Sequence, residues 1–486
     1  MEVILAIKFG INHTSNTCMI KCDEPKYCKE INVQFETQSN THFPIKSLTT
    51  PTVALFDDKG AIQSYGFEAE LQHIQCKNTS NHHLFREFVR DLFCSDKMVP
   101  DNLIAVNGSQ MKSIDVVTAV LSHMISHIKT KTGFQSSSIA FKYVLTIPTC
   151  CCKESRAFMT KAAVKAGCSS ENIKIVEEAA FFPSIKLHWL ICERYFTPVV
   201  YTTSLRKQYF YTQYLALALY KEQLIPLFQY FFNSIFSEDN ATLSVLYFIN
   251  NKQIEIAYAE NTEIWKGCHV LHDFVEMISS EARKTLGDFS EKYPLEYYNF
   301  EREVKTKIRL TSPSSSKLSI QLSPFILNET QNSENMQESV LRKECEDELY
   351  IKLDKCVIKS ERSKILVSEA GKRIVDYIES ELFTVFSDIN HNILVGEFAQ
   401  SPMLQEILKA SFPAKNILIP EDANMAAVRG AVFFGHRDVS VKTDIVHSKS
   451  HSSLNNAQVV LPMEKRVRTI HRGDEKSPQP SRCVIL

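Results

Sequence analysis

"ILVGEFAQSPMLQEIL", Ile393 to Leu408, reads as an apolar strand that stops at Gly396, a short crook, and a helix opened by Ser401 and Pro402. A serine ahead of the first turn accepts a free backbone N–H, and a proline at the first helical position leaves no N–H unpaired, so the helix start is well marked. A strand that turns through glycine into a helix entrance is backbone shaped to approach a small anion. Glu397 stands in that crook, and its carboxylate would repel a phosphate. Either no anion binds there or the site has been rebuilt.

Elements of the same alternating kind extend to both sides. EVILAIKFGI at the start is strand-like and runs into the turn Gly10-Ile11-Asn12, and Thr50 to Glu70 reads as a hairpin around Asp57-Asp58-Lys59-Gly60. Phe85, Phe88, Val89, Leu92 and Phe93 recur at helical spacing, as do Ile114, Val117, Val120, Leu121 and Met124. FKYVLTIP is a strand, SRAFMTKAAVKAGC a helix stopped by Gly167, and NIKIVEE a further strand. Beyond these, SERSKILVSEAGKRIVDYIESELFTVF predicts a long amphipathic helix and NILIP one more strand. Strand and helix alternate in both halves, which predicts an α/β protein with mostly parallel sheets covered by helices.

Composition narrows the function classes. In 486 residues, 55 basic side chains face 56 acidic ones, so there is no overall charge that favours nucleic acid. MEVILAIKFG has no basic leader and is broken by Lys8, and the longest apolar stretch, Gln223 to Phe236, is shorter than the roughly 20 residues needed to span a bilayer. A cytoplasmic protein is expected, with its 14 cysteines free or buried rather than paired. Cys150, Cys151 and Cys152 are adjacent, and on extended backbone they point to alternate faces, which makes them poor ligands for one metal.

LAIKFGI, TPTVALFDDKGAIQSYGFEAE, YVLTIPTCCCKESRAFMTKAAVKAGC, VEEAAFFPSI, ILVGEFAQSPMLQEIL and ILIPEDANMAAVRGAVFFG occur in an order that resembles the heat-shock protein 70 family, above all its divergent heat shock 70 kDa protein 12 branch. The resemblance covers most of Met1 to Gly435, with the middle third poorly matched. It implies a two-lobed actin-like ATPase fold of ribonuclease-H-like type, with ATP and a metal ion in the cleft between lobes. Residues 1–184 would form lobe I, and 185–241 a divergent aromatic-rich connection in which Arg194 to Phe236 reads as a buried helix pair. Residues 242–390 would form lobe II with a polar insert at 311–342, 391–438 its end with the nucleoside turn, and 439–486 a flexible basic tail. No peptide-binding β-domain is expected after Gly435.

The family's site residues transfer poorly. Lys8 stands where the resemblance implies a metal-organising aspartate, while Gly10 and Thr14 or Ser15 remain to touch a phosphate. No glycine occurs between Cys168 and Lys266, so the second phosphate loop is expected to be replaced by a plain strand pair within LSVLYFINNKQIEIAYAE. Glu177 or Glu178 falls at the acidic position that would help place the attacking water; the sequence leaves the choice open. In the nucleoside turn Gly396 is kept, Glu397 replaces a second glycine, and Gln400 stands where conventional members place a base-stacking arginine. The expectation is a pseudo-ATPase that uses no cofactor and acts through an unknown protein partner. The alternative is an ATP-binding, chaperone-like ATPase with a rebuilt site, in which Lys8 pairs with phosphate directly and ATP and magnesium are retained. Lys8 and Glu397 would otherwise lie as an ion pair across a closed cleft, or stay separately solvated.

The sequence ends CVIL. Cys483, two aliphatic residues and Leu486 match the prenylation pattern that directs a geranylgeranyl group. Lys465, Arg466, Arg468, Arg472 and Arg482 supply positive charge upstream. One prenyl chain binds a membrane reversibly, and basic residues add about 1 kcal/mol each near an anionic leaflet, so peripheral attachment to a cytosolic membrane face is expected.

Overall fold

A computed structural model describes residues 1–21, 29–37, 45–76, 81–93, 98–148, 153–178, 230–236, 241–250, 253–262, 292–321, 323–325, 349–352, 354–384, 386, 389, 391–420, 422–436 and 440–443. All of these fall within one compact unit, Met1–Val446.

The apolar opening forms β1 (Glu2–Phe9), and after the Gly10 turn the chain doubles back as β2 (His13–Ile20), followed by β3 (Glu30–Asn32) and β4 (Thr49–Pro51). The expected hairpin is β5 (Ala54–Asp57) with β6 (Ile62–Tyr65), its turn tied by Asp57 Oδ1 accepting the N–H groups of Lys59 and Ala61; β7 (His82–Phe85) pairs with the other side of β5. Helices α1 (Phe67–Gln75), α2 (Phe88–Phe93) and α3 (Ser113–Thr132) follow, so Phe85 ends a strand rather than opening a helix. β8 (Ala140–Ile147), α4 (Lys153–Lys165) and β9 (Ile173–Glu177) complete the first half in the predicted β-α-β order. Its six-stranded sheet runs β9-β8-β1-β2-β3, with β4 against β2. One face buries Leu5, Ile7 and Leu145 against the α3 stripe of Val117, Val120, Leu121 and Met124.

The second half has β10 (Tyr230–Phe236), β11 (Ala241–Asn250), β12 (Gln253–Thr262), α5 (Pro294–Arg309), β13 (Lys317–Gln321), β14 (Leu349–Lys352) and β15 (Lys355–Lys359). Then come α6 (Ser360–Tyr377), β16 (His391–Val395), α7 (Pro402–Ser411), β17 (Asn416–Leu418), α8 (Ala426–His436) and β18 (Ser440–Thr443). The second six-stranded sheet runs β17-β16-β10-β11-β12-β18.

Both sheets are mixed, which corrects the mostly parallel expectation. β1 is parallel to β8 but antiparallel to β2, and β10 is parallel to β16 but antiparallel to β11. The reason is the length of the connections: the three residues between β1 and β2, or the two between β11 and β12, allow a hairpin and no crossover helix. Five strands of each order correspond, and the sixth differs: β4 lies antiparallel to β2, whereas β18 lies parallel to β12. In each half the first strand is central, a meander lies on one side of it and two parallel strands on the other.

Three strands fall within segments where no strand was expected. β10, the end of the aromatic stretch expected to be a helix pair, is a strand inside the second sheet; Arg194 to Gln229 lies outside the described residues. β13 falls within the polar insert and pairs with β15. β18, at the head of the expected tail, pairs in parallel with β12, whereas Cys150 to Cys152 and the CVIL end lie outside the described residues. Among the described residues no helix is long and apolar enough to cross a membrane. Cys18 and Cys168 are free and buried, and burial pushes their thiols up to about 12 and about 11.

Helix α8 leaves the second half and packs on the first sheet, against β1, β8 and β2. A Cβ on Gly435 would lie 2.7 Å from both Ile4 Cγ2 and Val144 Cγ2, so the close approach depends on glycine. Alanine favours a helix over glycine by about 1 kcal/mol, a gain that the clash must outweigh for Gly435→Ala to destabilise. Overpacking costs ~1–3 kcal/mol, and the expected outcome is a lower denaturant midpoint with an unchanged slope; a raised midpoint would mean that helix and sheet are not in this contact.

Candidate functional site

Register places the chemistry on one face of the first sheet. Lys8 lies opposite Ser15 on β2 and Thr146 on β8, and Ser15 lies opposite Thr49 on β4, so four polar residues form a row across four strands. Ser15 and Thr146 are fully buried, and neither hydroxyl has a hydrogen-bond partner. Gly10 closes the row at the β1 end: a Cβ there would meet the His13 carbonyl oxygen at 2.5 Å and Glu178 Oε1 at 3.4 Å. Thr14 belongs to the opposite face. Its hydroxyl is shared with Thr52 at 2.9 Å and with the Tyr65 phenol at 2.6 Å, which removes it from the candidate site.

The same alternation separates the two glutamates. Glu177 pairs with Arg156 of α4, so it serves as a helix anchor. Glu178, one residue further, turns to the row, where its Oε2 stands 3.9 Å from Lys8 Nζ and its buried Oε1 has no partner. Burial pushes the Glu178 carboxyl above the usual glutamate range, with the Lys8 ammonium acting against it.

Glu397 does not pair with Lys8. Gly396, at φ 93° with its N–H donating to the Ala423 carbonyl at 2.9 Å, aims the crook at the first sheet. The Glu397 carboxylate is held there at 3.5 Å by His13 Nδ1, Thr49 Oγ1 and Arg309 Nη1. Ser401 caps α7 as predicted, accepting from the Leu404 N–H at 3.4 Å. Gln400 faces elsewhere, lining a groove of about 590 Å³ with Leu310, Lys409 and Ile419.

A second polar bridge joins the halves away from this row. Glu70 of α1 accepts from Tyr298 of α5 and from Arg86, both at 2.6 Å, while the Arg302 guanidinium lies over the Phe67 ring. Burial, then the Glu70 charge, pushes the Tyr298 phenol up. Sequence reading missed His13, Thr49, Thr146, Arg309 and this bridge. One signal was available: the run His13 to Thr17 is polar yet strand-forming, so some polar side chains had to be buried on both faces.

The residues do not suit a hydrated divalent ion. An ammonium already faces the nearest carboxylate, and among the described residues no group of three or more His, Cys, Asp or Glu is placed to hold a metal. In comparisons with known proteins, no family model and no curated protein matches this chain.

The Glu178 carboxyl gives a pH test. Its raised folded pKa means that the native state holds the proton more readily than the unfolded chain does. The stability it contributes is present below the ordinary glutamate range and is lost as pH rises through the folded value. Thermal melts from acid to neutral pH should therefore show the wild type losing ground to Glu178→Gln as pH rises. A wild type that gains ground would mean that Lys8 outweighs burial.

Proposed function

We propose that this chain is a pseudo-ATPase of the heat-shock protein 70 type: a two-lobed actin-like scaffold that acts by interaction rather than by nucleotide hydrolysis. Support for the fold comes from the repeated strand order of the two sheets and from α8 returning to the first of them. One observation carries the functional reading: Lys8 lies at the end of the central strand, paired with Glu178, where that fold would organise a metal ion through a carboxylate. Two features point the same way. β11 and β12 are an antiparallel pair without a glycine, its register shifting at Val245/Leu246 and Phe248/Asn250, and the crook that would accept a nucleoside holds the Glu397 carboxylate.

A specific observation favours the rival, a site rebuilt to bind ATP. Ser15 Oγ, Thr146 Oγ1 and Glu178 Oε1 are buried without partners around the Lys8 ammonium, and a phosphate would satisfy the two hydroxyls.

Titration with ATP plus magnesium separates the readings. A ligand at a hundred times its Kd stabilises the fold by about 2.7 kcal/mol, a shift easily seen in a thermal melt. The proposal expects no saturable shift and no phosphate release; both together would establish the ATPase. If the natural protein ends in CVIL, Cys483 is the proposed point of a membrane tether. The C-terminal peptide from cells should then carry a geranylgeranyl mass, and Cys483→Ser should move the protein to the cytosolic fraction; an unmodified peptide would remove the tether.

A further inference from the structure

The three groups around Glu397 come from separate parts of the chain. His13 starts β2, Thr49 starts β4 and Arg309 ends α5. The carboxylate satisfies them incompletely: each contact is 3.5 Å long, and the buried Arg309 Nε has no partner at all. A guanidinium presents its donors as a fork that suits a bidentate oxyanion, and only Nη1 meets Glu397. A planar carboxylate reaching in from the crook uses one tine of the fork. A tetrahedral oxyanion in its place has oxygens for Nε and Nη1 together, with others left for the Thr49 hydroxyl and the His13 ring.

We propose that His13, Thr49 and Arg309 form an anion clamp which Glu397 occupies from within the chain, and that the clamp accepts a small phosphate-type oxyanion once Glu397 leaves. This rests on the pseudo-enzyme reading, because a magnesium-bound triphosphate would need the same crook. Glu397 has ordinary helical backbone angles, φ −68° and ψ −42°, so its carboxylate leaves by side-chain rotation without backbone change. A tethered carboxylate competes at an effective concentration in the millimolar range, so the intact chain resists free anions and holds its halves together with its own charge.

The test uses the full chain and two probes at fixed ionic strength, inorganic phosphate and glycerol phosphate, read by thermal shift and calorimetry. Glu397→Ala should bind phosphate at least about tenfold more tightly than the wild type, and Glu397/Arg309 double replacement by alanine should abolish the gain. Should the alanine variant fail to fold, Glu397→Gln keeps the side-chain volume and is expected to move in the same direction. Preference for glycerol phosphate over phosphate would assign the clamp to a phosphate monoester, the reverse to the free ion. Equal phosphate affinity in wild type and variant, or a gain that survives loss of Arg309, overturns the clamp. Hydrolysis of ATP by the wild type would instead overturn the pseudo-enzyme reading, and the two failures are therefore separable.

Discussion

The seating of α8 on β1 and β8 is the contact on which the rest of the molecule depends. A short relay links β16 to α8: Gly396 is hydrogen-bonded to Ala423, and Ala423 lies just ahead of the helix that Gly435 allows to approach Ile4 and Val144. Fixing α8 fixes the crook, and fixing the crook brings Glu397 within reach of His13 and Thr49. Arg429 adds a polar brace, with its guanidinium shared between Asp422 at 2.6 Å and Glu30 of β3 at 2.7 Å. Close packing transmits position over this distance because neither helix nor sheet can yield by a methyl group without loss of contact.

Element types were legible where periodicity was unambiguous. α3 buries the stripe that its spacing predicted, and Ser401 and Pro402 open α7 where their backbone chemistry requires. Strand direction was not legible, since alternation is the same for parallel and antiparallel neighbours; only connection length reveals it. Tyr230 to Phe236 misled for a related reason. A short apolar run without alternation has no period to distinguish a strand from a helix.

The site was half legible. Lys8, Gly10 and Glu397 could be singled out by residue type, but the choices between Glu177 and Glu178, and between Thr14 and Ser15, are differences of one position in a strand. One position is one face, and register alone decides it. The partners of Glu397 left no local trace, because Thr49 is 348 residues away in sequence and Arg309 is 88.

Polar and charged side chains buried between two sheets need partners there, because each is cut off from water. This chain supplies such partners on both sides. Glu70 receives Tyr298 and Arg86 through short, partly buried hydrogen bonds, while Lys8 and Glu178, and Glu397 with Arg309 and His13, leave the lining close to charge balance. Removing one partner from such a set leaves a desolvated charge behind, which costs more than the pair itself contributes. Internal pairing joins the halves: Tyr298 of the second reaches Glu70 of the first, and Glu397 reaches His13 and Thr49.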